Sequence, residues 1–291
     1  MSQDDLHLIV APHIVQDLSI NLYTSLPRVI VEFVANAHDA DAPNVDVQID
    51  FEAIRRARNE LRSSHDGRNG RIEDRELPEE LMLKIVDNGH RMSRADIQDR
   101  FLIAGLRCRD KFCSVRSPGG RILMGRKGLG KLAGFGVAKR VTITSRRSED
   151  NYTTRVVLDF DELVQCPDKG RIPVPTETIE TDLPPAGTEI ALSRLVFEPV
   201  KSRRRTIESE LAKHFRFVGA EDFQISINGT ALAQAEAVYA FEWTHPGERA
   251  GGLYRHEIDA GSQRRKINYR IRFTRKSLPA RQRGVRIYAS G

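Results

Sequence analysis

The strongest hydrophobic pattern in the chain predicts a helix that is apolar on most of its surface and polar along one face. Pro27 fits the first turn of a helix, and the apolar residues after it recur with helical spacing: Val29, Ile30, Phe33, Val34 and Ala37. In the same register Glu32, Asn36 and Asp39 share one face. This face is either a solvated stripe or a catalytic face, with Glu32 as a general base, Asn36 as an oxygen ligand for Mg²⁺ and Asp39 orienting its neighbours.

Alternating and continuous apolar runs predict the strands. Residues 45–51 alternate between apolar and polar, and residues 81–86 form a continuous apolar run that leads into Asp87, Asn88 and Gly89. Similar patterns predict strands at 140–146, 153–160, 187–192, 223–227, 267–274 and 284–288, and helices at 14–26, 93–104, 129–138 and 207–217. The connection from 160 to 187 shows no clear pattern. Because strands outnumber the gaps that could hold crossover helices, we expect a two-layer α/β sandwich, with helices on one face of a mixed, mostly antiparallel sheet.

A long loop is predicted over residues 105–128, which contain few apolar side chains and many Arg, Ser, Gly and Lys residues. Long loops in compact domains are often lids or binding loops. This loop runs into a glycine-rich stretch from Gly125 to Gly136, GRKGLGKLAGFG. Closely spaced glycines allow several backbone N–H groups to converge on one anion at the start of the following helix. The pattern indicates a phosphate-binding lid, which we expect to be mobile without nucleotide.

Two other phosphate-binding motifs match the same stretch less well. The run from Gly125 to Lys131 nearly matches a P-loop, but Leu132 occupies the place of the Ser or Thr that would bind Mg²⁺. The run from Gly128 to Ala133 resembles a dinucleotide-binding fingerprint, but it follows a long loop instead of a strand. Neither motif identifies the site by itself.

Composition narrows the possible classes of protein. The chain has 291 residues, of which 40% are hydrophobic and 30% charged, as in globular proteins. Its net charge of +6 permits contact with nucleic acid, although the basic runs at 201–205, 264–266 and 281–286 also fit solvated loops. Three cysteines without a CxxC motif argue against a disulfide framework or a zinc site. Because the sequence shows no signal-peptide pattern and no apolar run long enough for a membrane, we expect a cytoplasmic location, or a nuclear one in a eukaryote.

The motifs become specific when they are taken together. A helix with the pattern ExxxNAxDA carries Glu32, DNG follows a strand, a long loop ends in GxxGxG, and Gly187-Thr188 opens a strand. In this order, over about residues 10–230, they resemble the GHKL ATPase superfamily, which includes DNA gyrase B subunits, heat-shock chaperones, histidine kinases and MutL. The resemblance is closest to the heat-shock chaperone and MORC branch. It implies the Bergerat-type ATP-binding fold, ATP and Mg²⁺ as ligands, and ATP hydrolysis.

The resemblance implies a role for each matching residue at the phosphate end of the site. Glu32 would activate the attacking water, and Asn36 would bind the Mg²⁺ that bridges the phosphates. The glycine-rich stretch would wrap the γ-phosphate with the following residues: Gly125, Lys127, Gly128, Leu129, Gly130 and Lys131.

At the adenine end of the implied site, Asp87 would accept a hydrogen bond from the amino group of the base. Gly89 would lie beneath the base, and Met92 would pack on it. Asp39 would lie at the edge of the adenine pocket. Thr188 would hydrogen-bond, often through water, to the base and to the Asp87 carboxylate.

One residue departs from the family pattern. The pattern is DxGxG, and Arg91 stands where the second glycine is expected. If the backbone there needed a positive φ, an arginine would be strained and the affinity for ATP would suffer.

The resemblance also implies a domain organisation and partners. Residues 1–230 would form the ATP-binding domain, with the lid near 105–128, and residues 231–291 a linker and the start of a truncated, transducer-like second α/β domain. ATP would drive homodimerisation of the full-length protein, whose further partner would be DNA or a client protein. A basic residue from the following domain would complete the active site, with Lys276, Arg281 and Arg283 as late candidates, so we expect weak hydrolysis by this chain. The alternative is a nucleotide-gated interaction module with negligible turnover.

Overall fold

The chain divides into two compact units. Its structure is a computed structural model that describes residues 6–9, 25–65, 71–103, 116–124, 130–147, 152–166, 171–180, 187–201, 203–215, 222–232, 241–243, 254–260, 263–269 and 271–273. One unit comprises Met1–Gln234 with Ser290–Gly291, and the other comprises Ala235–Ala289. The residues of the candidate site all belong to the first unit.

The α-helices of the described residues are α1 (Leu26–Asp39), α2 (Phe51–Ser64), α3 (Arg94–Asp96), α4 (Phe160–Gln165) and α5 (Arg204–His214). A π-helix, Ile97–Phe101, continues α3, and two segments are 3₁₀-helices, Ile72–Asp74 and Gly130–Gly136. Side-chain caps fix two of the starts. Asp50 accepts the N–H groups of the first turn of α2, and Ser93 forms a capping box with Asp96 at the start of α3. Within the described residues no helix is long and apolar enough to cross a membrane.

One large sheet organises the first unit. The strands of this unit are β1 (Leu6–Ile9), β2 (Asn44–Ile49), β3 (Leu83–Asp87), β4 (Ala138–Ser145), β5 (Tyr152–Asp159), β6 (Arg171–Val174), β7 (Thr176–Glu180), β8 (Thr188–Leu195), β9 (Gln224–Ile227) and β10 (Thr230–Ala231). The large sheet has the order β10-β9-β2-β3-β8-β4-β5-β7, and β1 pairs separately with β6. Strands β2 and β9 are parallel, and the other neighbours in the sheet are antiparallel. The predicted mixed, mostly antiparallel sheet is confirmed.

The helix with the polar face, α1, lies against the apolar face of this sheet. Alternate residues of the central strands are buried and are brought level by the strand register: Val45, Val47, Leu83, Ile85, Val141, Ile143, Ile190 and Leu192. The apolar residues that predicted the helix, from Val29 to Ala37, are buried in the same core cluster. Helix α1 also contacts α5 and the Gly130–Gly136 helix. This is the two-layer arrangement expected from the sequence.

The structure differs from several predicted elements. The strand predicted at 267–274 falls on two strands, Gln263–Tyr269 and Ile271–Phe273, which pair with different partners. The helix predicted at 93–104 is α3 followed by the π-helix. The α-helix predicted at 129–138 is a 3₁₀-helix, Gly130–Gly136, and β4 begins at Ala138. Glycines weaken an α-helix, and Gly134 packs so closely that an added Cβ would lie 2.7 Å from a Val141 methyl and 2.8 Å from a Leu192 methyl. The unpatterned connection after residue 160 contains α4, β6 and β7, which are too short to show a period. The predicted helix at 14–26 and the predicted strand at 284–288 fall almost wholly outside the described residues.

The second unit is described through two antiparallel strand pairs. Strand β11 (Phe241–Trp243) pairs with β14 (Ile271–Phe273), and β12 (Tyr254–Ala260) pairs with β13 (Gln263–Tyr269). The register of the second pair places Asp259 opposite Arg264 and Glu257 opposite Lys266. Two of the three positions in the basic run at 264–266 therefore lie opposite acidic positions in this register.

Candidate active site

The polar face of α1 is present as predicted. Glu32, Asn36 and Asp39 are partly exposed, while the residues on the other faces of the helix are buried. A rise of 1.5 Å per residue separates Glu32 from Asn36 by about 6 Å along the helix axis. The acid and the amide therefore stand in line, one turn apart, on the side of α1 that the core leaves accessible.

A row of buried polar side chains crosses the sheet among its apolar residues. The register places Asp87 of β3 opposite Thr188 of β8, Thr188 opposite Ser145 of β4, and Ser145 opposite Thr154 of β5. These four side chains are 8%, 6%, 2% and 1% exposed, respectively. They share the face that elsewhere carries Ile85, Val141 and other core residues. Buried polar groups need hydrogen-bond partners, so the contacts of this row decide what it can do.

Hydrogen bonds link Ser145 to Thr188 and to the segment that follows the DNG loop. The Ser145 hydroxyl accepts the backbone N–H of Met92 at 3.0 Å. It also lies 3.2 Å from the Thr188 hydroxyl and donates to the Gly187 carbonyl at 3.4 Å. Since a hydroxyl has one proton to donate, Ser145 influences whether Thr188 presents a donor or an acceptor to a ligand.

Asp87 is the most perturbed acid of the row. Burial raises its pKa to about 6, against the backbone N–H groups of Gly89 and Thr188, which lower it. The Gly89 N–H donates to its Oδ1 at 2.9 Å. Within the described residues no cation contributes to its pKa. A buried carboxylate held by amides alone keeps acceptor capacity for a donor that comes from outside the protein.

Two glycines allow the backbone around Asp87 to pack closely. A Cβ on Gly187 would lie 2.2 Å from the Asp87 carbonyl oxygen, and a Cβ on Gly89 would lie 2.6 Å from the Ala40 carbonyl oxygen. The close approach of Gly89 to the end of α1 is strengthened by a 2.6 Å hydrogen bond from the His90 N–H to the same Ala40 oxygen. Gly89 therefore has a packing role between the DNG loop and α1, in addition to its predicted place beneath a base.

This contact brings the two halves of the predicted site together. Ala40 follows α1 directly, and its own N–H donates to the Asn36 carbonyl at 2.9 Å. The DNG loop that carries Asp87 therefore meets α1 one turn beyond Asn36. Residues separated by about fifty positions in the sequence form one side of a single site.

Within the predicted lid, residues 116–124 form a tight turn that is attached to the end of α1. The Asp41 carboxylate accepts the Ser117 hydroxyl at 2.5 Å and the Gly119 N–H at 2.8 Å. The Arg121 guanidinium donates to the Ala42 carbonyl at 2.8 Å and to the His38 carbonyl at 3.2 Å. These contacts fix the turn against the C-terminal end of the helix.

The last residue of this turn leads towards the glycine-rich stretch. The Met124 N–H donates to the Asp39 Oδ1 at 2.8 Å. Asp39 also lies 3.2 Å from the Nδ1 of His38. Asp39, predicted at the edge of the adenine pocket, thus anchors the backbone immediately before Gly125. The predicted phosphate contacts Gly125, Lys127, Gly128 and Leu129 lie outside the described residues, and Gly130 and Lys131 begin the 3₁₀-helix.

The departure at Arg91 does not strain the backbone. The described non-glycine residues with a positive φ are Asp41, Arg194 and Asn228, and Arg91 is not among them. Its replacement of the second motif glycine therefore needs no left-handed conformation.

The donor set suits Mg²⁺ held mainly by a nucleotide. Among the described residues no group of three His, Cys, Asp or Glu side chains could hold a metal ion by itself. Mg²⁺ is commonly bound by one or two side chains together with waters and substrate phosphates. The partly exposed Asn36 amide, beside Glu32 on the same face, fits such a shared site.

Comparison with protein families identifies the class of this domain. The family model described as Histidine kinase-, DNA gyrase B-, and HSP90-like ATPase matches residues 23–182, which is more than half of the chain. The chain belongs to this family, so the GHKL resemblance is confirmed. The match includes Glu32, Asp87 and the glycine-rich stretch, while Thr188 lies just beyond it. The heat-shock chaperone and MORC branch stays a prediction.

Among curated proteins the chain is similar to a protein named putative type II restriction enzyme HgiDII, from Herpetosiphon aurantiacus. The two are 27% identical over 258 residues, which is 85% of this chain and 36% of the relative. The chain therefore spans little more than a third of that protein's length.

Some residues of the site were not predicted from the sequence. Ser145 is the last residue of β4, and Thr154 lies near the start of β5, both in ordinary alternating patterns. Only the strand register places Ser145 beside Thr188 and Thr154 beside Ser145. Asp41 and Arg121 are charged residues at a helix end and in a loop, and their pairing spans about eighty positions. The signal that could have found Ser145 is its parity with Val141 and Ile143, which puts a polar side chain on a core face.

Proposed function

We propose that this domain binds ATP with Mg²⁺ and hydrolyses it slowly. The observation that carries the proposal is Asp87, a buried carboxylate with a raised pKa and no cation among the described residues, placed at the end of the polar row. Family membership supports ATP as the ligand. The adenine amino group supplies the kind of donor that such an acceptor lacks.

In this proposal the adenine end is built from the polar row and the DNG loop. Asp87 accepts the amino group of the base, and Thr188, held by Ser145, hydrogen-bonds the base edge or a water beside it. Met92, partly buried against the core, packs on the base. Guanine is disfavoured because its O6 would face the Asp87 carboxylate.

The phosphate end uses the polar face of α1 and the glycine-rich stretch. Asn36 is the protein's oxygen ligand for Mg²⁺, and the bound ion would supply charge neutralisation at the phosphates. Glu32, one turn away, accepts a proton from the attacking water. The predicted amide donors of the glycine-rich stretch and Lys131 would bind the phosphates. The residue before this stretch is fixed to α1, because the Met124 N–H donates to Asp39.

We further propose that nucleotide binding is coupled to lid closure and to homodimerisation, as in heat-shock-chaperone, MORC or MutL-like machines. The anchored turn at 116–124 would then be the fixed part of the lid. Hydrolysis is expected to be slow wherever the basic residue implied by the family resemblance is not in place, because such a residue can contribute about 10³-fold or more to phosphoryl transfer.

A second candidate function is a nucleotide-gated module that contacts DNA or protein and hardly turns over. It is favoured by the printed name of the relative, a putative restriction enzyme. The two candidates share the pocket and differ in the role of Glu32. Glu32→Ala should prolong the ATP-bound state of a hydrolase and leave the bound lifetime of a pure gate unchanged.

The proposal is tested by titration calorimetry with ATP and Mg²⁺. We expect Asp87→Asn to abolish measurable binding, because the adenine amine loses a charged acceptor. Asp46→Asn is the matched control: Asp46 lies on the neighbouring strand β2, opposite Val86, and is held by Ser226 and Gly229. It should bind ATP like the parent protein. Unchanged ATP affinity in a folded Asp87→Asn protein would refute the site.

A further inference from the structure

Two arginines on α2 cover a single aromatic ring. The guanidinium carbon of Arg58 lies 4.3 Å from the centroid of the Phe197 ring, and that of Arg62 lies 5.7 Å from the same centroid. They are one helical turn apart, so both guanidinium groups are held on the same side of the helix. Such stacking orients the planar groups but does not neutralise them.

Neither arginine has an acid partner among the described residues, and one is visibly undersatisfied. The Nε of Arg58 is buried and has no hydrogen-bond partner. Burial, followed by the charge of Arg62, lowers the pKa of Arg58. By contrast Arg55, one turn earlier, pairs with Glu52. Two like charges held together without a counter-charge form a site that an anion would stabilise.

The same contrast continues along the chain beyond Phe197. The turn that begins at Phe197 leads to Lys201 and then to Arg203, the N-cap residue of α5. Arg203 and Arg205 are exposed and form no ion pair with any described residue, whereas Arg204 pairs with Glu208 and Lys201 with Glu198. The basic run at 201–205 thus contains both neutralised and unneutralised cations.

We propose that Arg58, Arg62, Arg203 and Arg205 form a surface that binds the phosphate backbone of duplex DNA. The unneutralised arginines are distributed over a helix and the segment beyond a turn, which suits a repeating anion better than a single small one. Arg58 and Arg62 are about 6 Å apart along the helix axis. Phosphates follow one another about every 3.4 Å of axis along each DNA strand, so both guanidinium groups can be occupied by one strand.

This surface is separate from the proposed nucleotide pocket. It is carried by α2, the turn at Phe197 and the start of α5, none of which contributes a residue to the pocket. The inference deepens the second candidate function by naming where DNA would be contacted. It rests on that candidate function, and because ATP affinity is measured separately, a failure to bind DNA can be distinguished from a failure to bind ATP.

The test compares two double variants that remove the same charge. Arg62→Gln with Arg205→Gln removes two unneutralised arginines, and Arg55→Gln with Arg204→Gln removes two that are paired with Glu52 and Glu208. Binding of the chain to a fluorescent duplex of about 20 base pairs is followed by anisotropy from about 50 to about 200 mM salt.

We expect the first double variant to bind DNA about 10-fold or more weakly near 0.1 M salt, with a salt slope smaller by about 1.8, since each phosphate contact contributes about 0.9. The paired-charge variant should stay within about 3-fold of the parent. Both should retain the parent's circular dichroism and ATP affinity. Three outcomes would overturn the proposal. The two double variants lose DNA affinity equally, the parent does not bind DNA, or polyglutamate competes for the parent as well as unlabelled DNA does, which would indicate an acidic protein partner.

Discussion

The two ends of strand β8 show two ways of burying a carboxylate. At its start Thr188 faces Asp87, and near its end Arg194 binds Asp159. Both carboxylates are almost fully buried, at 8% and 6% exposure. Asp87 is held by two backbone amides, whereas Asp159 accepts hydrogen bonds from Arg194 at 2.8 Å and from Arg140 at 3.2 Å.

The difference in partners reverses the effect of burial. Burial alone would raise the pKa of both acids. At Asp159 the hydrogen bonds and charge of Arg194, the Asp161 N–H and Arg140 outweigh burial and lower the pKa. At Asp87 nothing outweighs it, and the pKa rises to about 6. A carboxylate with its own cation stabilises the fold, while one buried without a cation costs stability and is a candidate ligand-binding group.

The largest expected effect is at the end of β8 where Arg194 neutralises Asp159. Arg194 donates to Glu76, Asp159 and Asp161, and its side chain is 21% exposed. Arg194→Met keeps an unbranched apolar stem but leaves these acids facing one another without the guanidinium, so we expect a loss of about 3 kcal/mol in unfolding free energy. Urea unfolding measures the loss. ATP affinity should be unchanged, because the network lies at the other end of β8.

An exposed arginine provides the control for this prediction. Arg155 pairs with Glu177 on the same sheet, with side chains 43% and 63% exposed. Arg155→Met should cost less than about 1 kcal/mol, since water screens such pairs. Equal losses in the two variants would mean that the Arg194 network is no more than a surface ion pair.

At the start of β8, beside Asp87, a substitution is expected to raise the stability instead of lowering it. We expect Asp87→Asn to stabilise the ligand-free protein by about 1–3 kcal/mol while it removes ATP binding, because the folded protein no longer has to ionise a buried acid. The pKa of Asp87 is raised from 3.8 to about 6 on folding, so the folded state holds the proton more tightly. Its contribution to stability is present below pH 3.8 and is lost as the pH rises through about 6.

The pH profile therefore gives an independent check. The stability difference between Asp87→Asn and the parent should be largest at neutral pH and should shrink as the pH falls below about 6. Urea unfolding across this range measures it. A difference of constant size would show that the Asp87 carboxylate is not the cause.

Within the polar row a smaller effect is expected at Ser145. Ser145→Ala removes the acceptor for the Met92 N–H and the neighbour of the Thr188 hydroxyl. Losing one buried hydrogen bond of about 1 kcal/mol should weaken ATP binding by about 5-fold. Thr144→Ala, one residue earlier and therefore on the opposite face of β4, is the matched control. If calorimetry shows the same ATP affinity in both variants, Ser145 does not contribute to ATP binding.

Local patterns predicted most of what determines the fold. The helical spacing from Val29 to Ala37 and the alternation at 45–51 each describe a contact between near neighbours, and the structure contains both. The 3₁₀-helix at Gly130–Gly136 was not predicted, because Gly134 packs closely against β4 and β8. Packing of that kind depends on which strands become neighbours.

The candidate site divides in the same way. Glu32 and Asn36 lie on one helix, so their spacing predicted a shared face. Ser145 and Thr154 join Asp87 and Thr188 only through the order of the strands, which no local pattern encodes. The tether from Arg121 to the end of α1 is likewise a long-range contact.

The smallest expected effect concerns Asp39. This acid adds a third case to the comparison of Asp87 and Asp159, because it binds the backbone of the predicted lid. Its Oδ1 accepts the Met124 N–H at 2.8 Å, and an asparagine retains that oxygen. If Asp39 acts as an anchor, Asp39→Asn should change ATP affinity by less than about 2-fold and leave hydrogen exchange at Met124 unchanged. Asp39→Ala should speed that exchange by about 5-fold, the equivalent of one hydrogen bond of about 1 kcal/mol. If instead its charge serves the adenine pocket, both substitutions should weaken ATP binding to the same extent. Asp39→Asn would then lose ATP affinity although its hydrogen exchange at Met124 is unchanged.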